Sequence, residues 1–179
     1  LHKSSHSFPT RRSSDLHVPS RPLSLSDLFP RDRICVDLAS ADKEALFVEL
    51  VDLIGSTGST HFDREDALAC VLERESRMST GIRPGVALPH GKTDGVDRFF
   101  GAIGVSRLGI DYDAPGGEPV RIAFMLISPR SMASDHLAIL KQLAGLLDAP
   151  GFVSGMIAAS DPSEAHRIIE RYEAQSIKV

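Results

Sequence analysis

Cysteine is scarce in this chain: among 179 residues there are two, Cys35 and Cys70. Without C-x-x-C spacing they form neither a disulfide framework nor a zinc site, so both read as small core residues of a cytoplasmic, reducing compartment. Basic charge is also in short supply. Twenty Lys and Arg against 24 Asp and Glu leave a formal net charge of -4 and a pI near 6.0. That offers no field to attract a polyanion and argues against nucleic acid as a partner. No run approaches the ~20 consecutive apolar residues of a membrane span, so direct membrane insertion is not expected. H-E-x-x-H, a Walker loop and any carboxylate cluster of metal-binding pattern are missing as well. A nucleotide-binding kinase is therefore a poor candidate, and neither a metal nor a cofactor is expected.

What is present is one domain's worth of core-forming sequence, 42% hydrophobic and 25% charged. Residues 1–22 stand apart: rich in Ser, Arg and Pro, they begin without Met and lack the apolar stretch of a signal peptide. They are expected to be disordered. Ser7 to Leu16, SFPTRRSSDL, resembles translated sequencing-adapter sequence, which suggests a non-native tail. Its histidines (His2, His6, His17) are set aside, and Arg11-Arg12 reads as part of a solvated tail. The domain is expected over residues 23–176.

From Leu23 the pattern becomes periodic. A Ser-capped turn at Leu25 to Phe29 precedes Ile34-Cys35-Val36, an apolar triplet suited to a strand. Ser40 can cap a helix that carries Leu46, Leu50, Leu53 and Ile54 on one face and ends at Gly55. A second helix opens at Asp63 and turns Leu68, Val71 and Leu72 inward up to about Arg74. After the loop Ser79 to Gly85, the run Val86-Ala87-Leu88-Pro89-His90 predicts a short buried strand that Gly91 breaks. Strands are expected at Phe99 to Val105, Ile110 to Asp113 and Val120 to Ile127, the last two joined through Ala114-Pro115-Gly116-Gly117. The strand at 120–127 is apolar on both faces and is expected to be central. Ser134 or Asp135 can cap a helix with Leu137, Leu140, Leu143, Ala144 and Leu147 as its buried stripe. A brief helix at Phe152 to Ala158 follows. The last opens at Asp161-Pro162-Ser163-Glu164 and buries Ala165, Ile168, Ile169 and Tyr172. This order predicts an α/β fold, a mixed β-sheet with helices on both faces in a single domain.

Histidine is the chemically interesting residue, because a neutral imidazole is a nucleophile near neutral pH and can carry a phosphoryl group on nitrogen. His61 and His166 read as surface residues. His90 sits where a strand leaves the sheet, the edge at which open α/β sheets bind ligands. By position alone such a histidine is more often a satisfied structural residue than a catalyst. The preceding Ser79, Thr80, Gly81 and Gly85 offer hydroxyls and flexible backbone amides suited to phosphate oxygens, or else an ordinary glycine turn. His136 lies in the first turn of a helix, whose amides and dipole favour a nearby anion, or caps its own helix. Arg74 either compensates a helix dipole or clamps phosphate through its fork.

The stretch Arg74-Glu75, Ser79-Thr80-Gly81-Ile82 and Gly85-Val86-Ala87-Leu88-Pro89-His90-Gly91-Lys92 resembles the signature of a known family. The family is the enzyme IIA domains of the bacterial phosphotransferase system, in the fructose, mannitol and nitrogen-regulatory class (type 2). The resemblance runs from about Leu23 to Tyr172 and departs at Arg83-Pro84, where the family commonly has Gly and a small polar residue. It implies a phosphotransferase acting through phosphohistidine. His90 would accept phosphate from HPr or its nitrogen-branch counterpart, with Arg74 and His136 as the other active-site residues. Ser79, Thr80, Gly81 and Gly85 would hold phosphoryl oxygens. The onward partner would be a IIB domain in sugar uptake or a regulatory target in the nitrogen branch. The segment Ile110 to Ala114 followed by Pro119-Val120 favours the nitrogen-regulatory type, as does the expectation of a lone IIA-sized chain. A fructose or mannitol transport component stays open, as does a non-catalytic regulatory binding module.

Overall fold

The computed structural model describes residues 23–178, so the tail expectations for 1–22 lie outside the described residues. In chain order the elements are α1 (Leu25–Leu28), β1 (Ile34–Cys35), α2 (Lys43–Gly55), α3 (Arg64–Arg77), β2 (Gly81–Arg83), β3 (Val86–Ala87), β4 (His90–Lys92), β5 (Phe100–Ile110), β6 (Val120–Ser128), α4 (Ala133–Asp148), α5 (Phe152–Ala158) and α6 (Pro162–Ser176). The strands form one mixed sheet in the order β1-β5-β6-β3-β2, with β4 also paired to β6. β6 is central, as its two apolar faces require. Its alternate residues enter two separate cores: Ile122, Phe124 and Leu126 face α4, α5 and α6, while Ala123, Met125 and Ile127 face α2 and α3. Helices thus cover both faces of a single α/β domain. Among the described residues no single helix is long and apolar enough to cross a membrane.

The short strands β3 and β4 run parallel to β6 along one edge. Their registers, Ala87↔Ala123 and His90↔Leu126, advance by three residues on each side, so the line is continuous across Leu88-Pro89. Pro89 interrupts the pairing because it has no N–H to donate, but its carbonyl still accepts from Leu126 N at 3.0 Å. His90 therefore opens β4 instead of ending a run, and Gly91 continues the strand. The two strands expected at 99–105 and 110–113 are one, β5. A bulge between Val105 and Ile110 absorbs the change of register, with Gly109 at φ +84° and its N–H donating to Ser106 Oγ at 3.0 Å.

Several local expectations need correction. Asp42, not Ser40, caps α2, its carboxylate accepting from Ala45 N at 2.9 Å. Phe47 and Val51 join Leu46, Leu50 and Ile54 in the core, and Leu53 is only partly buried. α3 buries Ala67, Cys70, Val71 and the carboxylate of Glu75, leaving Leu72 exposed. α4 starts before Ser134, straight from a 3-10 turn at Arg130–Met132, and its first-turn His136 is hydrogen-bonded inward; the buried stripe is accordingly His136, Ile139, Leu143, Leu146 and Leu147, with Leu137 exposed. His166 is no surface residue: its Nε2–H donates to the Ser26 carbonyl at 2.9 Å, tying α6 to α1.

β4 lies directly on α3. A Cβ added at Gly91 would stand 2.5 Å from Cys70 Sγ and 2.8 Å from the Cys70 carbonyl carbon, and the backbone atom cannot swing away. Gly91→Ala is expected to force β4 and α3 apart and lower stability by about 1–3 kcal/mol, read as a fall in the urea midpoint at unchanged slope.

Candidate functional site

The residues of β4 alternate between the two faces of the sheet. Gly91, opposite Ile127, faces α3, while His90, opposite Leu126, faces α4. Because β4 is an edge at this point, the last turn of α3 and the first turn of α4 meet around it. Between them lies a cavity of about 530 Å³, lined by α3, β4, Arg130 and the start of α4.

His90 is half-buried, and its Nδ1 lies 2.7 Å from the Leu88 carbonyl oxygen. A carbonyl can only accept, so Nδ1 carries the proton and Nε2 keeps its lone pair. Burial lowers the His90 pKa from 6.5; the Leu88 bond raises it, the Arg74 charge lowers it, the Glu75 charge raises it and Lys92 lowers it, with a net downward shift. His90 is thus neutral at pH 7.

His136 is buried, its ring centroid 5.5 Å from that of His90. Its Nδ1 is 2.5 Å from Ser128 Oγ at the end of β6, which leaves Nε2 as the free nitrogen. Burial pushes its pKa down to about 4, helped by His90 and Lys92. The site therefore presents two neutral imidazoles.

Positive charge surrounds them. Arg74, Arg77, Lys92 and Arg130 line the same cavity, against Glu73 as the acidic lining residue. Glu73 is engaged with Arg77 at 2.7 Å, and Arg130 lies 4.0 Å from the exposed Asp94. Among the described residues neither Arg74 nor Lys92 forms a salt bridge. Arg74 donates from Nη1 to the Met78 carbonyl at 2.9 Å, which caps the C-terminus of α3. The buried Cys70 thiol in the wall is pushed up to about 12, chiefly by burial, and is inert as a nucleophile.

Of the residues singled out from the sequence, His90, His136 and Arg74 converge on this cavity. Ser79, Thr80, Gly81 and Gly85, expected as phosphate ligands, are not among its lining residues. Ser79 Oγ accepts from the Gly81 amide at 3.2 Å. Thr80 is buried with its hydroxyl between Glu75 and Tyr112. Gly85, at φ +79°, makes the β2–β3 turn, and its carbonyl accepts from Arg121 N and Ile122 N. Sequence reasoning gave no role to Arg77, Lys92 or Arg130. Two were legible: Arg77 follows Arg74 by a helical i,i+3 step and Lys92 follows His90 by the two-residue period of a strand. Arg130, in the turn after β6, carries no such signal.

Residues 27–172 match the family described as "Phosphoenolpyruvate-dependent sugar phosphotransferase system, EIIA 2". The chain is 37% identical over 120 residues to the fructose-specific EIIA component of the phosphotransferase system of Haloferax volcanii, across 67% of this chain and 77% of that protein. It is 31% identical to the nitrogen regulatory protein IIA-Ntr of Neisseria meningitidis, whose crystal structure superposes with a TM-score of 0.73 over 80% of this chain and 97% of that one. The Escherichia coli enzyme IIAMTL, solved in complex with phosphorylated enzyme IIBMTL, shares the fold at 17% identity, with a TM-score of 0.68 over 80% and 99% of the two chains. From α1 into α6, therefore, this chain belongs to the EIIA type-2 family of the phosphoenolpyruvate-dependent sugar phosphotransferase system.

Proposed function

We propose that the protein is a phosphocarrier that accepts a phosphoryl group on His90 Nε2 from an HPr-type carrier and passes it to a further protein. The observation that carries this reading is the Nδ1–H bond to Leu88, which leaves a neutral imidazole with its Nε2 lone pair beside a cation-rich cavity. In the transfer the Nε2–P bond forms as phosphorus parts from the donor's nitrogen. The migrating group carries its charge on three oxygens, so positioning and electrostatic stabilisation are what the protein must supply. Arg74 offers a bidentate fork and Lys92 a point charge, and in the tautomer in which Ser128 Oγ–H donates into Nδ1 the neutral His136 ring offers an Nε2–H donor. The positive charge that phosphorylation leaves on the His90 ring is shared with the Leu88 carbonyl.

A fructose-type and a nitrogen-type relative stand behind this chemistry, and the acceptor separates them. We favour the nitrogen-regulatory branch on the segment Ile110 to Ala114 and Pro119-Val120. Offering a IIB domain to the phosphorylated protein decides between the two, since rapid transfer assigns it to sugar uptake.

Incubation with phosphoenolpyruvate, enzyme I and either HPr type is expected to add one phosphate by intact mass, mapped to His90. A protein left unlabelled by both carriers is instead a docking module. His90→Ala is expected to fold and take no label. His136→Ala still labels on His90 but transfers more slowly by a factor on the order of a hundred, as for loss of one donor to a migrating charge. Arg74→Lys keeps the charge, loses the fork and also slows, with little change in stability.

Only neutral His90 attacks, and burial lowers its pKa from 6.5, so acidification protonates it with a midpoint below that pH. The labelling rate, with donor supply held in excess, is expected to fall on acidification with its midpoint below pH 6.5. A midpoint above pH 6.5 contradicts the assignment.

A further inference from the structure

Behind the cavity lies a polar cluster that the phosphocarrier reading does not use. Glu75 is the residue after Arg74, and its side chain has a relative exposure of 6%. Three donors make four hydrogen bonds to it. The Thr80 amide reaches both oxygens, at 3.2 and 3.0 Å, the Thr80 hydroxyl bonds Oε2, and Lys43 Nζ approaches Oε1 at 3.3 Å. Tyr112 stands 2.7 Å from Thr80 Oγ1. Since an ionised carboxylate only accepts, Thr80 donates to Glu75 and Tyr112 donates to Thr80, so every proton in the chain points toward Glu75. A buried charge is tolerated only when its lone pairs are answered in this way.

The network has a mechanical consequence. Successive helix residues point about 100° apart, so a Glu75 side chain locked inward fixes the roll of the last turn of α3 and, with it, the direction of Arg74. The segment from Met78 to Thr80 is fastened at both ends, by Arg74 to the Met78 carbonyl and by Thr80 to Glu75. Lys43 anchors the same carboxylate to α2, and Tyr112 anchors Thr80 to the segment after β5.

The structure assigns to Glu75, acting through Thr80, the role of a positioning residue that aims the Arg74 guanidinium at the group on His90. This rests on His90 being the phosphoryl acceptor. It also gives Thr80 a task in place of the direct phosphate contact expected from the sequence. Glutamine is not an adequate substitute, because its amide nitrogen would face the Thr80 amide or the Lys43 ammonium, donor against donor.

The test is single-turnover labelling of His90 from a phosphorylated HPr-type carrier, together with the NMR signal of the Arg74 Nε–H. Glu75→Gln and Thr80→Val are each expected to slow transfer by a factor on the order of ten to a hundred, with unchanged affinity for the carrier. Thr80→Ser, which keeps the hydroxyl, is expected to transfer at the wild-type rate. Placed in an Arg74→Ala background, Glu75→Gln should cause no further loss, since it acts through a group already gone. Thr80→Val retains the backbone bond to Glu75 and serves if Glu75→Gln melts below the assay temperature. Wild-type transfer by Thr80→Val, or losses that multiply in the double variant, would overturn the assignment. If the wild-type protein takes no label, the phosphocarrier reading fails on its own. The Arg74 signal still decides the network, which is wrong if that signal is unmoved in Thr80→Val.

Discussion

The pairing of β4 with β6 is the constraint on which the site depends. β6 is buried on both faces, so its register cannot slip by one residue without exchanging Ile122, Phe124 and Leu126 for Ala123, Met125 and Ile127 between two differently shaped cores. With β6 held, His90 is set by its position opposite Leu126, and Ser128 at the strand's end receives His136. Two histidines 46 positions apart in the sequence thus share one reference element. The Leu88 carbonyl adds the last detail by accepting from His90 Nδ1.

The cavity pairs neutral nucleophilic nitrogen with unneutralised cations. Burial makes both histidines resist protonation and the nearby cations reinforce this, so the charges that would hold an incoming phosphoryl group also help to keep the acceptor lone pair available. The arrangement requires two cations, Arg74 and Lys92, that have no carboxylate partners among the described residues. Elsewhere around the rim the ordinary pairing prevails, with Arg77 bonded to Glu73.

Close approach of α3 to the sheet edge brings Arg74 within range. Gly91 permits it by having no side chain against Cys70, and Glu75 orients it by locking the last helical turn to Thr80. One glycine and one buried carboxylate, neither of which need touch a phosphoryl group, thus set the distance and the direction of the arginine.

Much of the fold was legible in the chain. Hydrophobicity on both faces marked β6 as central, Asp63 and Asp161 announced their helices as caps, and Phe152 to Ala158 matched α5 residue for residue. These are local signals, each resolved within a few residues by hydrogen bonding or side-chain period. His90, Arg74 and His136 were legible through their resemblance to a family, and the rotation of the α4 stripe was not, because it depends on a hydrogen bond to Ser128 on another element. The loop before His90 shows the boundary most clearly. Composition left Thr80 open between a phosphate-holding loop and an ordinary turn, whereas in the fold its hydroxyl is claimed by Glu75 and Tyr112. The sequence by itself determined which residues can do the chemistry, because nucleophilicity, charge and secondary-structure period belong to the residues themselves. Only the tertiary structure decided which of them meet, because a carboxylate, a hydroxyl and a phenol distant in sequence compete for the same hydrogen bonds only once the core has brought them together.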